Sequence, residues 1–173
     1  STEVAEPAAQ ERREASSAAQ EACPAALADA PSALWGGAVR ITLPRGGSLV
    51  ERGPRLAEAP GEFASACDAT VTRVSLGRRD DDPSKRVEEQ RDALIFSLGF
   101  AYTKVEWRSQ QIDGRGFSGV YEVENPHRPL IGWLWIVPRG ERLVWLAFEA
   151  HPDAAEAIGP SVLASRASLE VDG

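Results

Sequence analysis

A chain of 173 residues with 43% hydrophobic and 26% charged side chains has the balance of one globular domain with a tail. Its net charge of −7 and pI near 4.9 set it against phosphate backbones, so nucleic acid is excluded as the expected partner. No apolar run reaches the roughly 18 residues of a membrane helix, and there is no signal-peptide core.

Residues 1–22 are built from Ala, Glu, Gln, Ser and Arg, with Val4 the single large apolar residue. A segment that buries nothing cannot offset its ordering entropy, so it is read as a flexible or transiently helical linker before a single domain at 23–173. Met is absent even at position 1, which reads as a processed or trimmed product. A sharper reading makes the linker a spacer between a lipid anchor outside this chain and the folded domain.

Residues 23–35 are read as a turn of helix between Pro24 and Pro31, with Leu27, Leu34 and Trp35 on the domain edge. Ala38 to Leu43 alternates Val39, Ile41 and Leu43 with Arg40 and Thr42, the pattern of a half-buried strand. Ser48 to Glu51 is read as a short partner strand, and Gly53 to Gly61 as an irregular loop. Residues 64–76 are rich in β-branched side chains and predict a strand, ended by Gly77 and the run Arg78-Arg79-Asp80-Asp81-Asp82. The aspartates lack the alternate spacing of a calcium loop. They are read instead as a helix start, with Asp82 as N-cap and Pro83 at the first helical position. The helix is expected to run to Leu98, burying Val87, Leu94, Ile95 and Leu98, with Gly99 as its C′ residue.

Phe100 to Ile112 predicts a strand, Asp113-Gly114 a hairpin turn and Phe117 to Glu124 the return strand. Asn125 to Pro129 is a loop. Ile131 to Phe148 reads IGWLWIVPRGERLVWLAF, two strands joined by a turn placed at Pro138-Arg139-Gly140. Both arms are apolar at nearly every position, so this hairpin is expected to be central and covered on each side. His151-Pro152-Asp153 starts a last helix, which Gly159-Pro160 is expected to interrupt before Ser161 to Arg166 resume it. Leu169 and Val171 close the domain. The whole is an α+β fold around an antiparallel sheet.

Cys23 and Cys67 are too far apart in sequence for a CxxC redox or zinc motif. Two readings stay open, an export-dependent disulfide and two unrelated thiols. The disulfide is preferred because Cys23 stands where tail meets domain. Gly114 to Gly119 spells G-x-G-x-x-G, but a strand follows it where a dinucleotide site needs a helix, so the glycines are assigned to the hairpin and no cofactor is expected. Ser118 with His127 or His151 supplies the parts of a hydrolytic site without any spacing that specifies one. Two His and two Cys without paired spacing give no metal site. Trp107, Trp133, Trp135 and Trp145, with Tyr121, are read first as packing on the sheet. If one face lacks cover, the same rings form an apolar groove for a peptide or lipid.

Several of these features resemble the PsbP-like superfamily, which includes the extrinsic photosystem II protein, a Ran-binding nuclear import factor and many bacterial envelope lipoproteins. The resembling parts are Val39-Arg40-Ile41-Thr42-Leu43-Pro44, a strand ending in Leu-Pro, and the helix at 83–98 followed by Gly99-Phe100. The strand at 117–124, the Trp133/Trp145 hairpin and a last helix ending near 165–168 complete the likeness, over about residues 36–171. The resemblance implies an α-β-α sandwich, no catalysis and no catalytic residue to carry over. It implies a binding or assembly factor; some bacterial relatives look like chaperones for apolar segments of exported proteins. The expectation is a non-enzymatic, monomeric bacterial envelope protein, periplasmic or lipid-anchored, that binds another protein or peptide. A carrier of an apolar small molecule or lipid is the alternative, and a hydrolase using Ser118 with a His a second one.

Overall fold

The structure is a computed structural model that describes residues 23–64, 66–98, 104–124 and 128–172. The linker reading at 1–22, the Gly99-Phe100 turn and His127 lie outside the described residues. The elements, in order, are β1 (Ser32–Leu34), β2 (Val39–Ile41), β3 (Val50–Glu51), β4 (Leu56–Glu58), β5 (Phe63–Ala64), β6 (Thr70–Val71), β7 (Arg73–Asp80), α1 (Val87–Leu98), β8 (Lys104–Asp113), β9 (Gly116–Glu124), β10 (Pro129–Arg139), β11 (Arg142–Ala150), α2 (Pro152–Ala167) and β12 (Glu170–Val171). Seven strands form one antiparallel sheet in the order β3-β4-β7-β11-β10-β9-β8. A second sheet runs β1-β2-β12, and β5 pairs with β6.

The β10–β11 hairpin is central, with β9 on one flank and β7 on the other. Its arms are apolar at nearly every position because both faces of the sheet are buried. One face sets Ile131, Trp133, Val144, Leu146, Phe148, Val74 and Leu76 against Ile158 and Val162 of α2 and against Leu34, Val39 and Ile41 of the small sheet. The other sets Leu134, Ile136, Leu143, Trp145, Phe117 and Tyr121 against Val87, Leu94 and Ile95 of α1. The described residues are thus mostly antiparallel sheet with two α-helices, and the first face has a cover part helical and part strand.

Several expectations need correction. The segment 23–35 holds strand β1 and a 3-10 turn at Trp35–Gly37, not an α-helical turn. The supposed loop at 53–61 contains β4, which pairs with β7 inside the main sheet, while β3 pairs with β4 and not with β2. The strand expected over 64–76 is broken into β5, a 3-10 turn and β6, and β7 runs on through the charged run to Asp80. The hairpin turn falls at Gly140-Glu141, because Arg139 pairs with Arg142 and Pro138 with Leu143. Pro138 lies past the last β9 pair, Ile136↔Phe117, where β10 has become an edge and a residue without N–H is tolerated.

α1 begins at Val87, four residues after Pro83. Asp82 caps the preceding turn instead, its Oδ1 accepting the Ser84 N–H at 3.0 Å and the Ser84 hydroxyl. Arg115, from the β8–β9 turn, holds that turn away from helix. Its guanidinium donates to the carbonyls of Asp82 and Lys85, both at 2.9 Å, and grips the Asp81 carboxylate at 2.6 and 2.9 Å. α2 is continuous through Pro160. Proline removes one helical hydrogen bond, but Ser161, Val162 and Ser165 beyond it are buried and hold the helix on course.

Cys23 and Cys67 are joined in a disulfide with a Cα–Cα distance of 6.2 Å. Hydrogen bonds from the Ala28 N–H to the Leu43 carbonyl (2.8 Å) and from the Ala26 N–H to Ser161 Oγ (3.0 Å) fasten the same segment. Among the described residues, no helix is long and apolar enough to cross a membrane.

Candidate functional site

Cross-strand register lines up Trp107, Tyr121, Gly132, Glu149 and Arg73 in one row on the face covered by α1. The Tyr121 ring lies flat over Gly132, where a Cβ would stand 2.0 Å from the ring. Crossing that gap lets the Tyr121 hydroxyl donate to Glu149 Oε2 at 2.8 Å. Glu149 is 2% exposed, and its other oxygen lies 2.8 Å from Arg73 Nε. Arg73 also donates to the Leu98 carbonyl at 2.6 Å, satisfying an end of α1. A buried carboxylate is tolerable only when paired and hydrogen-bonded, as here. The row therefore ties sheet to helix, and Tyr121 is a structural residue in it.

Trp107 meets Phe117 and Tyr121 edge-on at 5.0 and 5.3 Å between centroids. The Arg91 guanidinium of α1 covers it at 5.0 Å, a cation–π contact. Trp145 lies over Gly77 of β7, where a Cβ would be 2.3 Å from its ring. Trp133 is buried on the opposite face. Of the five aromatic candidates, then, Tyr121, Trp133 and Trp145 are in the core, and Trp107 is half-buried under arginine.

Trp135 is different. It is half-buried, meets Phe148 edge-on at 6.2 Å and borders an open cleft of about 410 Å³. Gln111, Asp113, Ser118, Pro138 and Arg166 line the same cleft. Arg166 Nε is buried with no acceptor among the described residues. Burial, and secondarily the neighbouring Arg139 charge, shift the Arg166 pKa down from its ordinary value. An open cleft lined by a half-exposed indole and an arginine is a place for an incoming carbonyl or carboxylate. Arg166 was not singled out from the sequence, because a basic residue in a last helical turn has an ordinary explanation in the helix dipole. Phe96 on α1 is 74% exposed and stands apart from this cleft's lining.

Ser118 and His151 are not brought together, and His127 lies outside the described residues. Ser118 pairs with Trp135, which pairs with Leu146, whereas His151 follows the far end of β11. Five residues of strand separate those rows, about 17 Å at roughly 3.4 Å per residue. The Gly114–Gly119 stretch forms the β8–β9 hairpin, and Gly119 lies against the Trp107 and Phe117 rings. Among the described residues, no three His, Cys, Asp or Glu side chains gather where they could hold a metal ion.

No family model matches the sequence, and no curated protein sequence matches it. Among solved structures, the fold is similar to that of PA94, a protein of unknown function from Pseudomonas aeruginosa. The TM-score is 0.52 at 9% identity, covering 86% of this chain and 99% of PA94. A Bacteroides thetaiotaomicron protein matches at TM-score 0.42 and 14% identity over 86% of this chain and 49% of its own. Cyanobacterial PsbP (CyanoP) from Synechocystis sp. PCC 6803 matches at TM-score 0.48 and 12% identity over 86% and 94%. At these identities the PA94 likeness shows the fold alone, and the other two scores carry no argument.

Proposed function

We propose that this chain is a non-enzymatic binding factor of PsbP-like, α-β-α character, which engages a protein or peptide at the Trp135 cleft. The observation that carries the reading is the half-buried Trp135 at an open cleft that Arg166 also lines. Trp and Arg dominate the energetics of protein interfaces, where a central aromatic anchor and a desolvated guanidinium act together. The Cys23–Cys67 disulfide supports an oxidising compartment, hence an exported, envelope-located protein; a lipid anchor preceding residue 1 fits the same reading.

A carrier held between sheet and helix is less well supported, since Val87, Leu94 and Ile95 of α1 already fill that space against Phe117 and Tyr121. Tryptophan fluorescence separates the two. Trp135→Phe should remove the emission change on adding a protein partner recovered from native envelope. A blue shift with detergent monomers that survives Trp135→Phe would favour the carrier and contradict the proposal.

A further inference from the structure

Arginines gather at the end of the main sheet where β4, β7 and β11 meet. Register sets Arg78 opposite Val144, Arg79 opposite Leu143 and Arg142 opposite Asp80. A cleft of about 260 Å³ there is lined by Pro54, Arg55, Arg78, Arg79, Asp80 and Arg142, four arginines to one aspartate. A neighbouring cleft of about 450 Å³ shares Arg78 and Arg142 and adds Arg139, with Glu141 and Asp172 as its acids. Among the described residues, Arg55, Arg78, Arg79, Arg139 and Arg142 form no ion pair. That is against expectation in a chain with 26 acidic and 19 basic residues, where each arginine has an excess of possible partners.

One of these side chains is also built into place. The Arg78 guanidinium stacks 4.4 Å over the Trp35 ring and donates from Nε to the Pro54 carbonyl at 2.9 Å. Trp35 has a φ of 51°, a left-handed conformation that is a true outlier for a bulky residue. Its indole N–H bonds the Gly53 carbonyl at 2.9 Å and its backbone N–H bonds Glu51 Oε1 at 3.1 Å, which hold the strained residue there. Like charges that outnumber the acids beside them repel, so the arrangement is costly in the free protein.

We infer that the arginine-lined cleft between β4, β7 and β11 binds a small multivalent oxyanion, either clustered carboxylates or linked phosphoryl groups. The guanidinium fork matches both through paired N–H donors, and several arginines around one small cleft favour multivalent over single anions. This site stands apart from the Trp135 cleft and is independent of the partner-binding reading.

Calorimetric titration of the full chain at low ionic strength, with pyrophosphate and with citrate as separate probes, tests it. At least one probe should saturate the protein, and Arg79→Gln and Arg142→Gln should each weaken binding by about tenfold or more. Both variants should melt no lower than the parent, since each removes a like charge. Arg108→Gln, which breaks only the exposed Arg108–Glu122 pair on β8 and β9, should leave binding unchanged. Saturation by pyrophosphate alone assigns phosphoryl groups; saturation by citrate alone assigns carboxylates. The inference is overturned if neither probe saturates, or if binding is unaffected by Arg79→Gln and Arg142→Gln, or if Arg108→Gln weakens it equally.

Discussion

Gly132 does its work by having no side chain. The Tyr121 ring occupies the place of its Cβ, and the Tyr121–Glu149 hydrogen bond passes over it. Gly132→Ala should therefore lower stability by about 1–3 kcal/mol through overpacking, read from a urea unfolding curve. An unchanged midpoint would contradict the packing. Nothing in the sequence pairs these two residues, because only the register of β9 on β10 brings them together. Asp81 makes a second residue-scale prediction. The hydrogen bond from Arg115, opposed by burial and helped by Gln90, holds its carboxyl below the ordinary carboxylate range. A lowered folded pKa stabilises the native state above the unfolded value near 3.9, and that contribution is lost as pH falls through the lower folded value. Asp81→Ala should cost about 1–3 kcal/mol at neutral pH, because it also strips the fully buried Gln90 of its acceptor. The gap between parent and variant should narrow below pH ~4. A gap independent of pH would contradict it.

At the scale of elements, α1 was legible because Val87, Leu94 and Ile95 recur at helical spacing; it buries them together with Gln90, while Leu98 is only half-buried. Its start was not legible. The turn at 83–85 depends on Arg115, which arrives from a hairpin 30 residues downstream of Lys85. Leu94→Ala should cost on the order of 2–5 kcal/mol, and an unchanged melting temperature would refute the placement of α1 on the sheet. β7 shows the opposite failure. Gly77 followed by charge reads as a strand end, yet Gly77 is there to admit the Trp145 ring, and the arginines beyond it line clefts at the sheet's end. A glycine inside a strand marks a close approach as readily as a break. The ten-residue edge strand β8 is guarded against further pairing by Lys104, Glu106 and Arg108 and by a register shift between Trp107 and Ser109.

For the molecule as a whole, the apolar hairpin correctly announced a sheet buried on both faces, and the preferred cysteine pairing is the one observed. The disulfide spans 44 residues and ties the start of the domain to the segment between β5 and β6. Replacing both cysteines with serine should lower unfolding free energy by about 4 kcal/mol on the loop-entropy account, measured by denaturant titration. A double variant as stable as the parent would mean that the hydrogen bonds of Ala26 and Ala28 suffice. Aromatic composition was less informative, since core tryptophans and one that borders a cleft look alike in sequence. Only the fold separates Trp135 from Trp133 and Trp145. Site-specific photocrosslinking tests that separation most directly, with p-benzoyl-phenylalanine in place of Trp135 in the native host and in place of the exposed Phe96 as control. The account predicts one discrete protein adduct from position 135, absent from position 96. No adduct at 135, or the same adduct from both positions, would contradict it.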